Sequence, residues 1–255
     1  MRLVPAAAGR GPNLVLVHGW GLGPRAWEPL LPHLGRYTVH IAALPGYAAS
    51  PPMPGAGLDS LADALAEALP PTAIVCGWSL GAMLALNCAA RHAGRITRLV
   101  LVGANARFVA APDWPEALPV IELEDFAAAL ATDPAALLQR FSLLIQRGDA
   151  RGRAAGRALA GCLADGPPAD AATLGAGLDM LRHADLRREA ARVAAPTLLL
   201  HGAADTLMPP AGAARLAALL PNARLELLAA AGHAPFASDP AGFATRLTTF
   251  AGSAA

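Results

Sequence analysis

The chain contains no lysine. All twenty of its basic side chains are arginine, set against nineteen acidic ones, and charged residues make up only 15% of the 255 positions. A net charge of +1 without any basic block excludes a nucleic-acid backbone as partner. Exclusive arginine beside abundant Ala, Gly and Pro reads as a genomic composition bias, so any single arginine carries little information. Cysteine is scarce as well. Cys76, Cys88 and Cys162 are an odd number without metal-ligand spacing, which points to buried free thiols in a reducing, cytoplasmic setting. There is no His-Glu-x-x-His, no Cys-x-x-Cys and no glycine-rich phosphate loop after a strand, so no metal, no cofactor and no nucleotide is expected. The start reaches Gly9 and Gly11 before any apolar run of signal-peptide length, and export is not indicated. Residues 72–90 carry no charge and approach the ~20 residues of a spanning helix. Gly77, Ser79, Gly81 and Asn87 interrupt that stretch, which fits a buried strand, a tight turn and a buried helix better.

What is present is apolar side chain, 55% of the total, enough for one large α/β domain or two ordinary ones. Leu14 to Val17 is a continuous apolar run, the mark of a parallel strand covered on both faces. After it the chain alternates: a short helix from Pro24 to Leu34, a strand from Tyr37 to Ala42, a helix from Leu58 to Leu69, a strand from Ala73 to Cys76, a helix from Leu80 to Arg91 and a strand from Ile96 to Val102. From about Phe108 to about Arg192 only helical segments are evident, such as Leu123 to Ala131 and Pro134 to Gln146. The rhythm then resumes with Thr197 to Leu200, Pro210 to Leu220, Arg224 to Leu228 and Pro240 to Phe250. The expected organisation is an α/β core from 1–107 and 193–255 with a helical cap inserted at 108–192.

Gly77-Trp78-Ser79-Leu80-Gly81 is a G-x-S-x-G stretch lying between an expected strand and an expected helix, the context of a nucleophile elbow. A serine hydroxyl needs a base, and the base needs a carboxylate to orient it. Of the seven histidines, His233 alone sits in a short loop after the last strand, and Asp205 follows the strand before it. The chain order Ser79, Asp205, His233 suits an α/β sheet of this kind. The N–H of Leu80 and that of Trp20, in the loop after His18-Gly19, are the expected donors to a developing oxyanion. His18 is expected to bond nearby backbone. His33, His40, His92, His183 and His201 have no motif around them and read as surface or satisfied core residues.

With His18-Gly19-Trp20-Gly21, the elbow, Asp205 and His233 in place, the chain resembles the α/β-hydrolases. More narrowly, it resembles the pimeloyl-[acyl-carrier protein] methyl ester esterases of biotin synthesis. The narrower resemblance rests on Leu14 to Trp27, the GWSLG elbow, Asp113-Trp114-Pro115, Arg140-Phe141, Gly177 to Arg187 and His233-Ala234-Pro235-Phe236. It implies an α/β-hydrolase fold with a mostly parallel sheet and a cytoplasmic serine carboxylesterase whose substrate is the carrier-bound methyl ester. It also implies that the backbone at Trp20 and Leu80 holds the oxyanion and that Phe141 lines the acyl site. The family's polar cap residue falls on Ile145 here, with Gln146 adjacent as the substrate-binding candidate. Arg140, Arg147, Arg151, Arg153 and Arg157 crowd one part of the cap, and if helical the first three share a face suited to an acidic carrier protein. A solvated face is the alternative for them, and a monomer is expected. A broad short-chain esterase, lactonase or C–C bond hydrolase could use the same three residues, and a binding protein that had lost the chemistry is the alternative of another class.

Overall fold

The computed structural model describes residues 1–9, 11–164 and 168–252; the parts of the expected core and cap ranges at 10, 165–167 and 253–255 lie outside the described residues. Its strands are β1 (Arg2–Ala8), β2 (Asn13–Val17), β3 (Thr38–Ala43), β4 (Ala73–Trp78), β5 (Ile96–Val102), β6 (Thr197–Gly202) and β7 (Ala223–Leu228). They form a seven-stranded sheet in the order β1-β3-β2-β4-β5-β6-β7. All neighbours are parallel except β1, which runs antiparallel along β3 at the edge. Leu14, Val15, Leu16 and Val17 of β2 are each fully buried, as a strand covered on both faces requires.

Helices α1 (Leu58–Ala68), α2 (Leu80–Arg91), α8 (Pro210–Leu219) and α10 (Pro240–Gly252) accompany the sheet, with the short α9 (Pro235–Ser238) leading into α10. Between β5 and β6 the chain forms α3 (Val120–Thr132), α4 (Pro134–Ile145), α5 (Gly152–Ala160), α6 (Ala171–His183) and α7 (Arg187–Ala190), with no sheet strand among the described residues. The two ends of this stretch are tied together. The Leu186 N–H donates to the Ala106 carbonyl at 2.9 Å, Arg107 pairs with Asp185 at 2.8 Å, and Arg187 bridges Asp113 and Asp185 at 2.6 Å each.

The single helix expected from Pro24 to Leu34 is instead two 3₁₀ turns, Pro24–Trp27 and Leu31–His33. Pro29, between the two turns, and Pro32, within the second, each remove a donor, so an α-helical ladder cannot run through the segment. Trp27, Trp78 and Phe243 cluster around Phe236 in an aromatic group, with centroid distances of 4.3 Å, 5.1 Å and 6.0 Å from Phe236. This group seats α9 on the core and fixes the chain just after His233.

The sheet order reverses between β2 and β4. The chain leaves β2 toward β3 on one side and returns to β4 on the other, so the loops after β2 and β4 diverge and leave a crevice at the carboxyl ends of the strands. Trp20 and Ser79 lie on those two loops.

Candidate active site

Ser79 joins β4 to α2 with φ 56° and ψ −122°, a positive φ that a non-glycine residue adopts only where its surroundings impose it. The turn is that tight because its flanking glycines permit it. A Cβ at Gly77 would come within 2.4 Å of the Gly81 carbonyl oxygen, and one at Gly81 within 2.4 Å of the Val17 and His18 carbonyl oxygens. The hydroxyl is thereby held up at the amino end of α2, whose first N–H, that of Leu80, has no intrahelical acceptor. A Cβ at Gly19 would stand 3.0 Å from the Ser79 Cβ, which places the backbone leading into Trp20 directly against the nucleophile turn.

His233 and Asp205 approach from the loops after β7 and β6. Both are buried, and Nδ1 of His233 donates to Oδ2 of Asp205 at 2.7 Å. Oδ1 of Asp205 accepts the N–H groups of Leu207 and Met208 at 3.0 Å and 2.9 Å. Burial alone would push this carboxyl up. His233 by charge and hydrogen bond, aided by His201 and the Met208 N–H, outweighs burial and holds it below the usual carboxylate range. The imidazole fits because residue 103 is glycine with φ 52°, where a Cβ would lie 3.0 Å from the ring. The indole N–H of Trp78 donates to the His233 carbonyl at 2.9 Å, so the residue beside the nucleophile also holds the histidine loop. Nε2 of His233 is buried and meets no hydrogen-bond partner among the described residues.

Ser79 and His233 share a cavity of about 20 Å³ with Trp20, Phe108, Leu118, Leu123, Phe126, Phe141, Leu178, Leu181 and Leu207. The Trp20 indole donates to the Leu174 carbonyl of α6 at 2.8 Å and stands edge-on to Phe141, 4.9 Å between centroids. Gly177 makes room for it, since a Cβ there would stand 2.6 Å from Trp20 Cδ1. The structure thus brings together Ser79, Asp205, His233, Trp20, Leu80 and Phe141.

Gln146 is a correction, because it does not line this cavity. Its side chain lies between α4 and α5, donating to the Ser142 carbonyl at 2.6 Å, with its amide oxygen against Gly156. The arginines are a second correction. Gly148, at φ 76°, ends any continuation of α4, so Arg140 lies on α4, Arg147 on the following turn and Arg151 at the start of α5. They do not share one helical face, and Arg151 is paired with Asp239 at 3.0 Å.

Residues 12–240 match the model of the alpha/beta hydrolase fold family. The pimeloyl-[acyl-carrier protein] methyl ester esterase of Aromatoleum aromaticum is 45% identical over 90% of this chain and 94% of its own length. The chain belongs to this esterase family within the α/β-hydrolases. The enzyme of the same name from Nitrosomonas europaea is 37% identical over 92% of this chain and 94% of its own. Among solved structures, a bromoperoxidase from Bacillus anthracis superimposes with a TM-score of 0.86 at 23% identity, covering 96% of this chain and 93% of that one. An enol-lactonase from Burkholderia xenovorans gives 0.83 at 24%, covering 99% and 95%. These two likenesses establish the fold.

His18 has both ring nitrogens on backbone: Nε2 accepts the Leu44 N–H at 3.1 Å and Nδ1 donates to the Gly19 carbonyl at 2.8 Å. Burial lowers its pKa to about 4 against the opposing pull of the Gly19 carbonyl, so the ring is neutral at pH 7. His201, which has no motif around it, is fully buried beside Asp205. Its Nε2 donates to the Met208 carbonyl at 2.7 Å and lies 3.4 Å from Asp205 Oδ2. Its place next to Gly202, just before the loop of Asp205, is the signal that could have found it.

Proposed function

We propose that this chain removes the methyl group from pimeloyl-[acyl-carrier protein] methyl ester, releasing methanol and a free carboxylate, in biotin synthesis. One observation carries the reaction. The buried Asp205–His233 pair faces Ser79 across an apolar cavity with Nε2 unengaged. The substrate is supported by the name its relatives bear, and the stretch at 108–192 is read as the cap that shapes the acyl site.

Ser79 Oγ attacks the ester carbonyl while His233 Nε2 takes its proton, and Asp205 accepts the Nδ1–H throughout and stays ionised. The carbonyl oxygen, now negative, is held by the N–H groups of Trp20 and Leu80. Collapse of the tetrahedral species breaks the bond to the methoxy oxygen, which leaves as methanol with the proton from Nε2. Water then gives one proton to His233 and attacks the acyl-enzyme, and the second collapse returns that proton to Ser79 as the carboxylic acid departs and loses its remaining proton to solvent. Phe141 packs beside the acyl chain.

Carrier docking falls to Arg140 and Arg147. They flank Leu143, which is 67% exposed, in a shallow outer groove of about 450 Å³ shared with Leu144, Gln146 and Gly152. A basic rim around an apolar residue suits an acidic partner carrying an acyl arm. The reading includes a cytoplasmic setting and a monomer as the working unit; no helix among the described residues is long and apolar enough to cross a membrane. A broad short-chain esterase is the second reading, favoured by the small size of the cavity beside Ser79, which has room for about one water.

Ser79→Ala should abolish turnover by several orders of magnitude and leave folding intact, and Asp205→Asn should lower kcat by roughly 10⁴. Both are measured by methanol release from the carrier-bound ester. Substantial turnover by Ser79→Ala would sink the mechanism. Failure to rescue a biotin auxotroph lacking its methyl ester esterase would favour the second reading.

A further inference from the structure

The turn between α4 and α5 is bonded to the loop that carries His233 at several points. The His233 N–H donates to the Ile145 carbonyl at 3.2 Å, and the Ala150 N–H donates to the Ala230 carbonyl at 2.9 Å. Between them stands Asp149. Its Oδ2 accepts the N–H of Gly232, the residue before His233, at 2.9 Å, and its Oδ1 accepts the N–H of Arg151 at 2.7 Å. The fit is close on both sides. A Cβ at Gly232 would come within 2.9 Å of the Ile145 carbonyl oxygen and 3.3 Å of the Asp149 Cβ, and a Cβ at Gly148 within 2.9 Å of the Ala204 Cβ, one residue before Asp205.

We infer that Asp149 is a positioning residue for His233, its carboxylate clamping the Gly232 N–H so that the α4–α5 turn fixes where the imidazole stands. The inference rests on the reading of His233 as the base. A charged acceptor on a backbone N–H makes a stronger hydrogen bond than a neutral one, and here it closes a path from an outward-facing turn to the residue next to the base. The same carboxylate holds the N–H of Arg151, and Arg147 lies two residues before it. What settles on this turn therefore bears on the histidine loop through the Asp149 carboxylate as well as through the two backbone bonds. Nothing else in the turn supplies a charged acceptor to residues 230–233 among the described residues. The effect on catalysis follows from distance tolerance: proton transfer needs Nε2 within hydrogen-bond reach of Ser79 Oγ, and displacements of about 1 Å can cost on the order of 10²-fold.

The test uses the full-length chain and a small neutral ester, p-nitrophenyl acetate, which does not depend on carrier docking. Rates are expressed per site titrated by a fluorophosphonate, so that any misfolded fraction drops out. Asp149→Ala should lower kcat at least tenfold with KM within twofold of wild type. Asp149→Asn, which keeps one acceptor oxygen, should fall between Asp149→Ala and wild type. A wild-type kcat in Asp149→Ala, a loss expressed wholly in KM, or an Asn variant as slow as the Ala variant would each overturn the inference. Ser79→Ala, which has no hydroxyl for the fluorophosphonate to label, is measured alongside per mole of folded protein. If it retains turnover, the reading of the triad has failed; if it is inactive and Asp149→Ala is normal, the clamp alone has failed.

Discussion

His18 gives the protein a dependence on mild acid at a single ring. In the unfolded chain the imidazole titrates near 6.5, and burial brings it to about 4 in the fold. Between those values the unfolded chain binds the proton and the folded chain does not, so stability declines as pH falls from 6.5 toward 4, by about 3 kcal/mol in all. Urea midpoints across that range should show the decline, and His18→Gln, whose amide oxygen can still accept the Leu44 N–H, should flatten it. If the slope survives that substitution, the responsible group is elsewhere, with His201 first in line because burial lowers its pKa too. At this scale the site was legible where the chain is local. Ser79 announces itself through the glycines its turn needs, and Asp205 and His233 through their places just after strands. His201 was passed over although its place beside Gly202, four residues before Asp205, marked it; Asp149 was not legible, because what makes it matter is a partner at Gly232, 83 positions along, that only the folded chain brings within reach.

Elements were readable where an apolar run or a sharp boundary marked them, as for helix α2 and strand β5, whose limits coincide with the expected ones. They were hard to read where Ala and Gly dilute the stripe, as in α5 with Gly152 and Gly156 and α6 with Gly175 and Gly177. β1 was also missed: it is an edge strand whose Pro5 sits beside a shift of register, the kind of irregularity an edge tolerates. Gly177 shows why a glycine persists inside α6. Alanine would gain the helix roughly 1 kcal/mol in propensity, yet its methyl group would stand 2.6 Å from Trp20 Cδ1 and drive the indole off the Leu174 carbonyl. Gly177→Ala should therefore lower the melting temperature, the overpacking and the lost indole hydrogen bond outweighing the gain in propensity, and should lower kcat by roughly 10- to 100-fold through displacement of the Trp20 backbone. A variant that is both stable and fully active would mean that the indole can move without taking the oxyanion donor with it.

For the molecule as a whole, near-neutral net charge leaves long-range attraction to local patches, and under the proposed docking the patch at Arg140 and Arg147 would act on encounter with a carrier. Exposed charges are screened over about 8 Å at physiological ionic strength. Arg140→Ala with Arg147→Ala should then lower kcat/KM for the carrier-bound ester at low salt and flatten its salt dependence, while p-nitrophenyl acetate hydrolysis stays near wild type. Adding Arg151→Ala should change little further, since Asp239 already pairs with that side chain. Unchanged carrier kinetics in the double variant would place docking on another face. The polar ties between Ala106, Arg107, Asp113 and residues 185–187 have a consequence for the way the chain assembles. About ninety residues separate the end of β5 from the start of β6, yet the two strands are neighbours in the sheet. Closing so long a loop costs only about 1 kcal/mol more than closing an ordinary crossover, because the entropy grows with the logarithm of length. Once its ends are stapled together, the intervening segment can be lengthened, shortened or exchanged at almost no cost to the sheet, which lets substrate choice drift so long as the turn at Asp149 and the seat of Trp20 on α6 are kept.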